Sequence, residues 1–315
     1  MAFKPTKPFL TYHDQINNLI QKKLLIINDT NYATSKLKSI GYYSLIDGYK
    51  NLFYNPMTRQ YEPNTTFEDI VALYDFDQNL RSLILQYICK IEQNIRSLIS
   101  YHFCETHSEK QTDYLNPNNY NNTKKHHTGI QTLIKILSTE ANISIEHAYV
   151  VYQRTTYGNV PLWVILNTLT FGQTSKLYSF LTTSIQSKIS TNFSNVNEKE
   201  LSQYLKFLTH YRNICAHNER LFAFKSRYEI PDTTLHCKLS IPKKGNQYIC
   251  GKSDIFAIMI AFRYLLNIDD FKQYKKSFSK LITNFEKQSS TLHKTKLLAT
   301  MGLPNNWSSI TRYKP

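Results

Sequence analysis

The chain has 315 residues, 41% of them hydrophobic, enough for one large domain or two small ones with a real core. Only 8 glycines and 10 prolines argue against a turn-rich β architecture, and no stretch approaches the roughly 18 uninterrupted apolar residues of a membrane-spanning helix. A formal charge of +15 and a pI near 9.4 concentrate polyanions at the surface, with nucleic acid the first candidate partner and an anionic membrane surface the second.

The five cysteines, Cys89, Cys104, Cys215, Cys237 and Cys250, are odd in number and include no Cys-x-x-Cys pair. That fits reduced thiols in the cytoplasm. The start of the chain has no long apolar core of a signal peptide, so a soluble, cytoplasmic, unprocessed protein is expected.

Residues 1–10 read as a basic, proline-bearing arm, and Thr11 with Asp14 opens a first helix. A second helix follows Asp29-Thr30 and leads into Gly41-Tyr42-Tyr43-Ser44-Leu45-Ile46-Asp47-Gly48-Tyr49. Amphipathic aromatics of this kind serve as core and cap; exposed, Tyr42 and Tyr43 would offer rings for base stacking. Residues 54–64 have turn chemistry. Thr66 and Asp69 then cap a long helix to about His107, with Leu73, Leu80, Ile84, Tyr87, Ile91, Ile95 and Leu98 as its apolar stripe. Its other side carries Asp77 with Arg81 and Glu92 with Arg96, each pair four residues apart. Two readings fit: surface ion pairs worth a few tenths of a kcal/mol, or a polar seam turned toward a functional site.

Residues 108–128 are polar and read as a loop. His102, Cys104 and His107 match no strong zinc spacing, and neither a metal nor another cofactor is expected. Helices are predicted at 129–140 and 144–156, and Pro161 suits a first helical position, with Trp163 as a core anchor. Asn197, with Glu200 three residues on, caps a helix whose buried face is Leu201, Tyr204, Leu205, Leu208 and Cys215. Strand-like alternation at Thr234–Ile241 and Gln247–Cys250 suggests a small hairpin with a basic tip at Lys243 and Lys244, which would meet RNA or remain an inert turn. Ser253 opens an apolar helix, Asp269-Asp270 open a last long one to about Gln288, and Trp307 pins the tail.

The Asn197 helix ends in Arg212-Asn213-Ile214-Cys215-Ala216-His217-Asn218-Glu219-Arg220. At about 100° per residue, Asn213 and His217 share a face and Arg212 flanks it. A guanidinium can hold a phosphate and the charge developing on it; an imidazole can move a proton near neutral pH. The same spacing also fits a solvated helix end with a basic last turn.

The run Tyr211-Arg212-Asn213-Ile214-Cys215-Ala216-His217-Asn218-Glu219-Arg220-Leu221-Phe222 resembles the signature of the Abi-like abortive-infection proteins, a family within the HEPN group of all-helical ribonucleases. The resemblance extends to the opening at residues 7–12, to Gly41-Tyr42-Tyr43, to the Ile91-Glu92-x3-Arg96 core, to Pro161-x-Trp163 through Phe171-Gly172, and to Met301-Gly302-x-Pro304-x2-Trp307. The family often has an acid where this chain has Asn167.

The resemblance implies an all-α, HEPN-type bundle as a single domain over 1–315: an N-terminal helical segment 1–58, a core 65–290 and a tail 291–315. It implies a metal-independent endoribonuclease with Arg212, Asn213 and His217 as the catalytic set. Glu92, Arg96, Arg81 and Arg220 would serve in positioning or RNA binding, as would Lys243, Lys244, Tyr42 and Tyr43. The partners implied are RNA as substrate, a small noncoding RNA as restraint and a second copy in a homodimer; neither DNA nor a membrane is expected. A non-catalytic RNA-binding regulator on the same scaffold is the alternative.

Overall fold

The protein is described from a computed structural model over residues 8–289, 291–292 and 294–315. It is all-α apart from two very short antiparallel ribbons, and its chain forms two compact units.

The first unit takes the described residues up to Leu83, Arg220–Phe222 and the described part of Lys275–Met301. Helix α1 (Tyr12–Asn17) begins as the sequence requires: Thr11 Oγ1 accepts the Asp14 N–H. Asp29 caps α2 (Thr30–Ile40) by accepting the N–H groups of Asn31 and Tyr32, and Gly41, at φ +87°, ends it. Strands β1 (Tyr54–Asn55) and β2 (Gln60–Tyr61) form a ribbon inside the predicted turn region. Helix α3 (Phe67–Thr106) starts from a reciprocal cap: Asp69 donates its N–H to Thr66 Oγ1 (3.1 Å), and Thr66 donates its N–H and hydroxyl to Asp69 Oδ2 (3.0 and 2.8 Å). Residues of α3 up to Leu83 belong to this unit and those from Ile84 onward to the second.

In the second unit, α4 (Gln111–Tyr114) lies within the predicted 108–128 loop. That stretch is more ordered than its polarity suggests because two buried tyrosines pin it. Tyr114 Oη donates to Val160 O (2.8 Å) and Tyr120 Oη to Tyr114 O (2.6 Å). Then come α5 (His127–Asn142), α6 (Ala148–Tyr157), ended by Gly158 at φ +62°, and α7 (Leu162–Ile165), which starts one residue after Pro161. Trp163 corrects the sequence expectation: Leu162, Ile165 and Leu166 share the inward face of this turn, and Trp163 falls outside it, 50% exposed.

Helix α8 (Phe171–Phe180) is capped by Thr170 and Gln173, α9 (Thr183–Ser190) follows, and α10 (Glu198–Ala216) is capped by Asn197 and Glu200. The residues predicted for the buried face of α10 are buried. Helix α11 (Thr234–Lys238) replaces the first predicted strand. The alternation there also places Leu235 and Leu239 four apart, both buried, and Thr233 with His236 caps the turn. The hairpin is reduced to β3 (Lys243–Lys244) and β4 (Gln247–Tyr248), with Gly245 at φ +59°.

Helix α12 (Ile255–Leu265) is buried at every residue and capped by Asp254. Helix α13 (Ile268–Gln288) gives its residues up to Tyr274 to this unit and the rest to the first, where α14 (Lys294–Thr300) follows. The Met301-Gly302 pair has a steric reason: Gly302, at φ +76°, lies so close to Asp254 that a Cβ would sit 2.2 Å from Oδ2. Trp307 is buried in the tail.

His236 supplies a pH prediction. Its Nδ1 accepts the Thr233 N–H (3.1 Å), so Nε2 carries the hydrogen that reaches Gly251 O (2.9 Å). Burial first, and the Lys252 charge after it, push the imidazole below its ordinary 6.5. Its folded pKa is depressed, so the unfolded chain takes up the proton that the folded chain refuses. The contribution to stability is complete above about pH 6.5 and is lost as pH falls below it. Thermal melting from about pH 8 to about pH 5 should show this fall, with a shallower acid slope in His236→Asn. His210, depressed mainly by burial, adds a loss of the same sign.

Candidate nucleic-acid site

Helix α10 is fixed by what it buries. Tyr211 is fully covered and donates its hydroxyl to Ser253 O (2.6 Å), and Ile214 and Cys215 are buried beside it. Those three set the rotation of the last turn, which leaves Arg212 half-buried and Asn213 and His217 exposed.

The helix stops through a Schellman closure. Asn218 takes φ +56° and donates its N–H to Cys215 O (3.3 Å), and Glu219 donates to Ile214 O (3.1 Å). Asparagine tolerates this left-handed position better than most residues. His217 is thereby the C-cap residue, its N–H accepted by Asn213 O and its ring left in solvent.

Arg212 turns toward α3. Its charge acts on Cys89 and Glu92, and its Nε is buried with no hydrogen-bond partner among the described residues. Glu92 is buried and paired with Arg96, which also donates to Leu169 O. Burial pushes the Glu92 carboxyl up; Arg96 and then Arg212 pull it back.

Asp77 and Arg81 are no surface pair either: their side chains are 0% and 4% exposed. Asp77 accepts from Arg81 (2.6 Å), from Tyr49 Oη (2.8 Å) and from the N–H groups of Leu221 (3.0 Å) and Phe222 (2.7 Å). Burial raises this carboxyl, but four donors facing it favour the ionised form. The surface-pair reading is therefore corrected for Asp77 and Arg81, a pair whose carboxylate holds the Leu221–Phe222 backbone, while Glu92 lies within reach of the Arg212 charge.

Asn213 lines a groove of about 590 Å³ between α8 and α10. Beside it are Lys176, Lys206, His210, Arg227 and Tyr228, none of which figured as a site residue in the sequence reading. The signal was present in the spacing. Lys206, His210, Asn213 and His217 follow at steps of four, three and four, a single polar stripe on one helix. His210 Nδ1 lies 2.9 Å from Ser226 Oγ, and its ring meets Phe224 and Tyr228 edge-on.

The remaining sequence candidates lie elsewhere. Arg81 is enclosed by Asp77 and Tyr49, so only a positioning role is open to it. Arg220 donates to Gly48 O. Lys243 and Lys244 stand exposed on β3, Lys243 Nζ 4.3 Å from the Tyr248 ring centre. In the first unit, Tyr42 Oη accepts from Lys23 Nζ (2.9 Å) and Tyr43 is 79% exposed.

The family model described as Abi-like protein matches residues 35–223, more than half of the chain, from within α2 to just past the Arg-Asn-x3-His segment. The chain belongs to the Abi-like family. No curated protein and no solved structure matches it. The Abi-like match contains Gly41-Tyr42-Tyr43, the Glu92–Arg96 pair, the groove residues of α8 and α10 and the motif itself; the hairpin and the Gly302 tail lie beyond it. Among the described residues no helix is long and apolar enough to cross a membrane, and no His, Cys, Asp or Glu side chains gather as a metal-ligand set.

Proposed function

We propose that this Abi-like protein acts in abortive-infection phage defence as a metal-independent endoribonuclease on a HEPN-type helical scaffold. The observation that carries the reading is a conjunction. Within the family match, Arg212, Asn213 and His217 close a helix whose polar stripe borders a cationic groove.

In the proposed reaction the ribose 2′-oxygen bonds to the adjacent phosphorus and the bond from phosphorus to the 5′-oxygen breaks. A base takes the proton of the 2′-hydroxyl, and an acid returns one to the leaving 5′-oxygen. The products are a 2′,3′-cyclic phosphate and a 5′-hydroxyl, so the step balances without a co-reactant. His217 moves a proton. Arg212, beside the Glu92 carboxylate that Arg96 holds in place, binds the scissile phosphate, and Asn213 orients His217 or the phosphate. A two-fold homodimer would bring two copies of His217 to one cleft and so supply base and acid together. A small noncoding RNA bound to the basic surface would hold such a toxin in check.

The test is incubation of the purified protein with total RNA and with tRNA in EDTA, followed by end-group analysis. Fragments with cyclic phosphate and 5′-hydroxyl ends are expected. Intact RNA, bound but uncut, would favour the non-catalytic RNA-binding regulator instead.

A further inference from the structure

The α8–α10 groove has properties that the motif does not require. Lys176, Lys206 and Arg227 line it, and no carboxylate does among the described residues. None of the three cations has an ion-pair partner among those residues. Two of them are nonetheless held close together: Lys206 Nζ lies 4.3 Å from the centre of the Tyr228 ring and Arg227 Cζ 4.9 Å from it. A ring face steadies each cation and lowers the ordering cost of binding an anion there, while leaving their charges unneutralised.

Hydroxyl side chains make up much of the rest of the wall, Ser175 and Ser202 among them, beside Gln173, His210 and Asn213. Phosphate and sugar oxygens are the groups that such side chains bind in nucleic-acid complexes. A groove of about 590 Å³ has the size of a small-ligand cleft, far too small to take a duplex.

We propose that this groove seats the sugar–phosphate backbone of single-stranded RNA, with Lys176, Lys206 and Arg227 on its phosphates. The stripe Lys206–His210–Asn213 then leads the strand along α10 to His217. His210 lies on that track as a hydrogen-bonding imidazole; burial and the nearby Arg227 charge both favour its neutral form, against Glu219. The inference rests on the ribonuclease reading only for the identity of the polyanion.

The test uses the full chain carrying His217→Ala, so that a probe is not cut, and a labelled single-stranded RNA of about 12 nucleotides. Lys206→Glu with Arg227→Glu should weaken binding by about tenfold or more and make the salt dependence of log K shallower by about 1.4, two phosphate contacts at about 0.7 each. Lys206→Gln with Arg227→Gln removes the same two contacts without adding repulsion, so the slope should change by about the same amount and the affinity fall by less, which keeps the test open if charge reversal harms folding. Lys272→Glu with Lys276→Glu, exposed on α13, changes net charge equally and should leave most of the affinity.

An unchanged affinity in the groove variants overturns the proposal. So does an equal loss in the α13 control, or tighter binding of a duplex of the same sequence. Cleavage by the parent protein with groove variants that bind normally would sink the groove and keep the ribonuclease. Groove-dependent binding with no cleavage would do the reverse.

Discussion

Replacing His217 with alanine should lower RNA cleavage by about 10²- to 10⁴-fold while fold and RNA affinity stay close to the parent's. A positioned general acid or base contributes an effect of that size, equivalent to about 3 to 5 kcal/mol of transition-state stabilisation. Folding should survive because the His217 side chain is exposed and makes no hydrogen bond among the described residues. Its backbone, at φ −90° and ψ 10°, is open to alanine, and the left-handed position that closes the helix belongs to Asn218. Affinity should survive because the cations sit on Lys176, Lys206 and Arg227. Arg212→Lys is the companion variant: it keeps a charge near Glu92 but loses the fork that grips a phosphate, so cleavage should fall without loss of melting temperature. Parental cleavage by a folded His217→Ala protein would remove the histidine from the reaction.

Local signals in the sequence specified the helix starts well. Thr11, Asp29, Thr66 with Asp69, and Asn197 with Glu200 all cap where they were expected, because a cap is an exchange among three or four consecutive residues. What the sequence hid depends on residues far apart in the chain. The four-residue spacing of Asp77 and Arg81 is the same on a surface as in a core; burial follows from the Leu221–Phe222 backbone lying over it, 144 and 145 residues on. Trp163 has an anchor's composition, yet its exposure is decided by which side of α7 is covered. Thr234–Lys238 satisfied both a strand and a helix pattern over a length too short to separate them.

The groove is an intermediate case. Half of it, the stripe on α10, was legible as a helical period. Lys176, Arg227 and Tyr228 come from other segments and join it only in the fold.

Asp77→Ala should cost about 3 to 5 kcal/mol, the usual penalty for leaving one member of a buried ion pair behind. The loss is not of the pair alone. Arg81, 4% exposed, would keep its charge in a low-dielectric setting, and the N–H groups of Leu221 and Phe222 would lose their acceptor. Asp77→Asn retains one acceptor oxygen and should fall between parent and alanine variant. Asp77→Leu with Arg81→Met removes charge and counter-charge together and should recover part of the stability, since apolar replacement of a whole buried pair is often tolerated. Recovery will be incomplete, because the two backbone N–H groups remain unpaired in that variant as well. Urea unfolding of the four proteins measures the series. Because Leu221 and Phe222 follow the motif directly, cleavage should decline with Asp77→Ala even at temperatures where the protein stays folded. An alanine variant as stable as the parent would show that the 221–222 segment is held by other means.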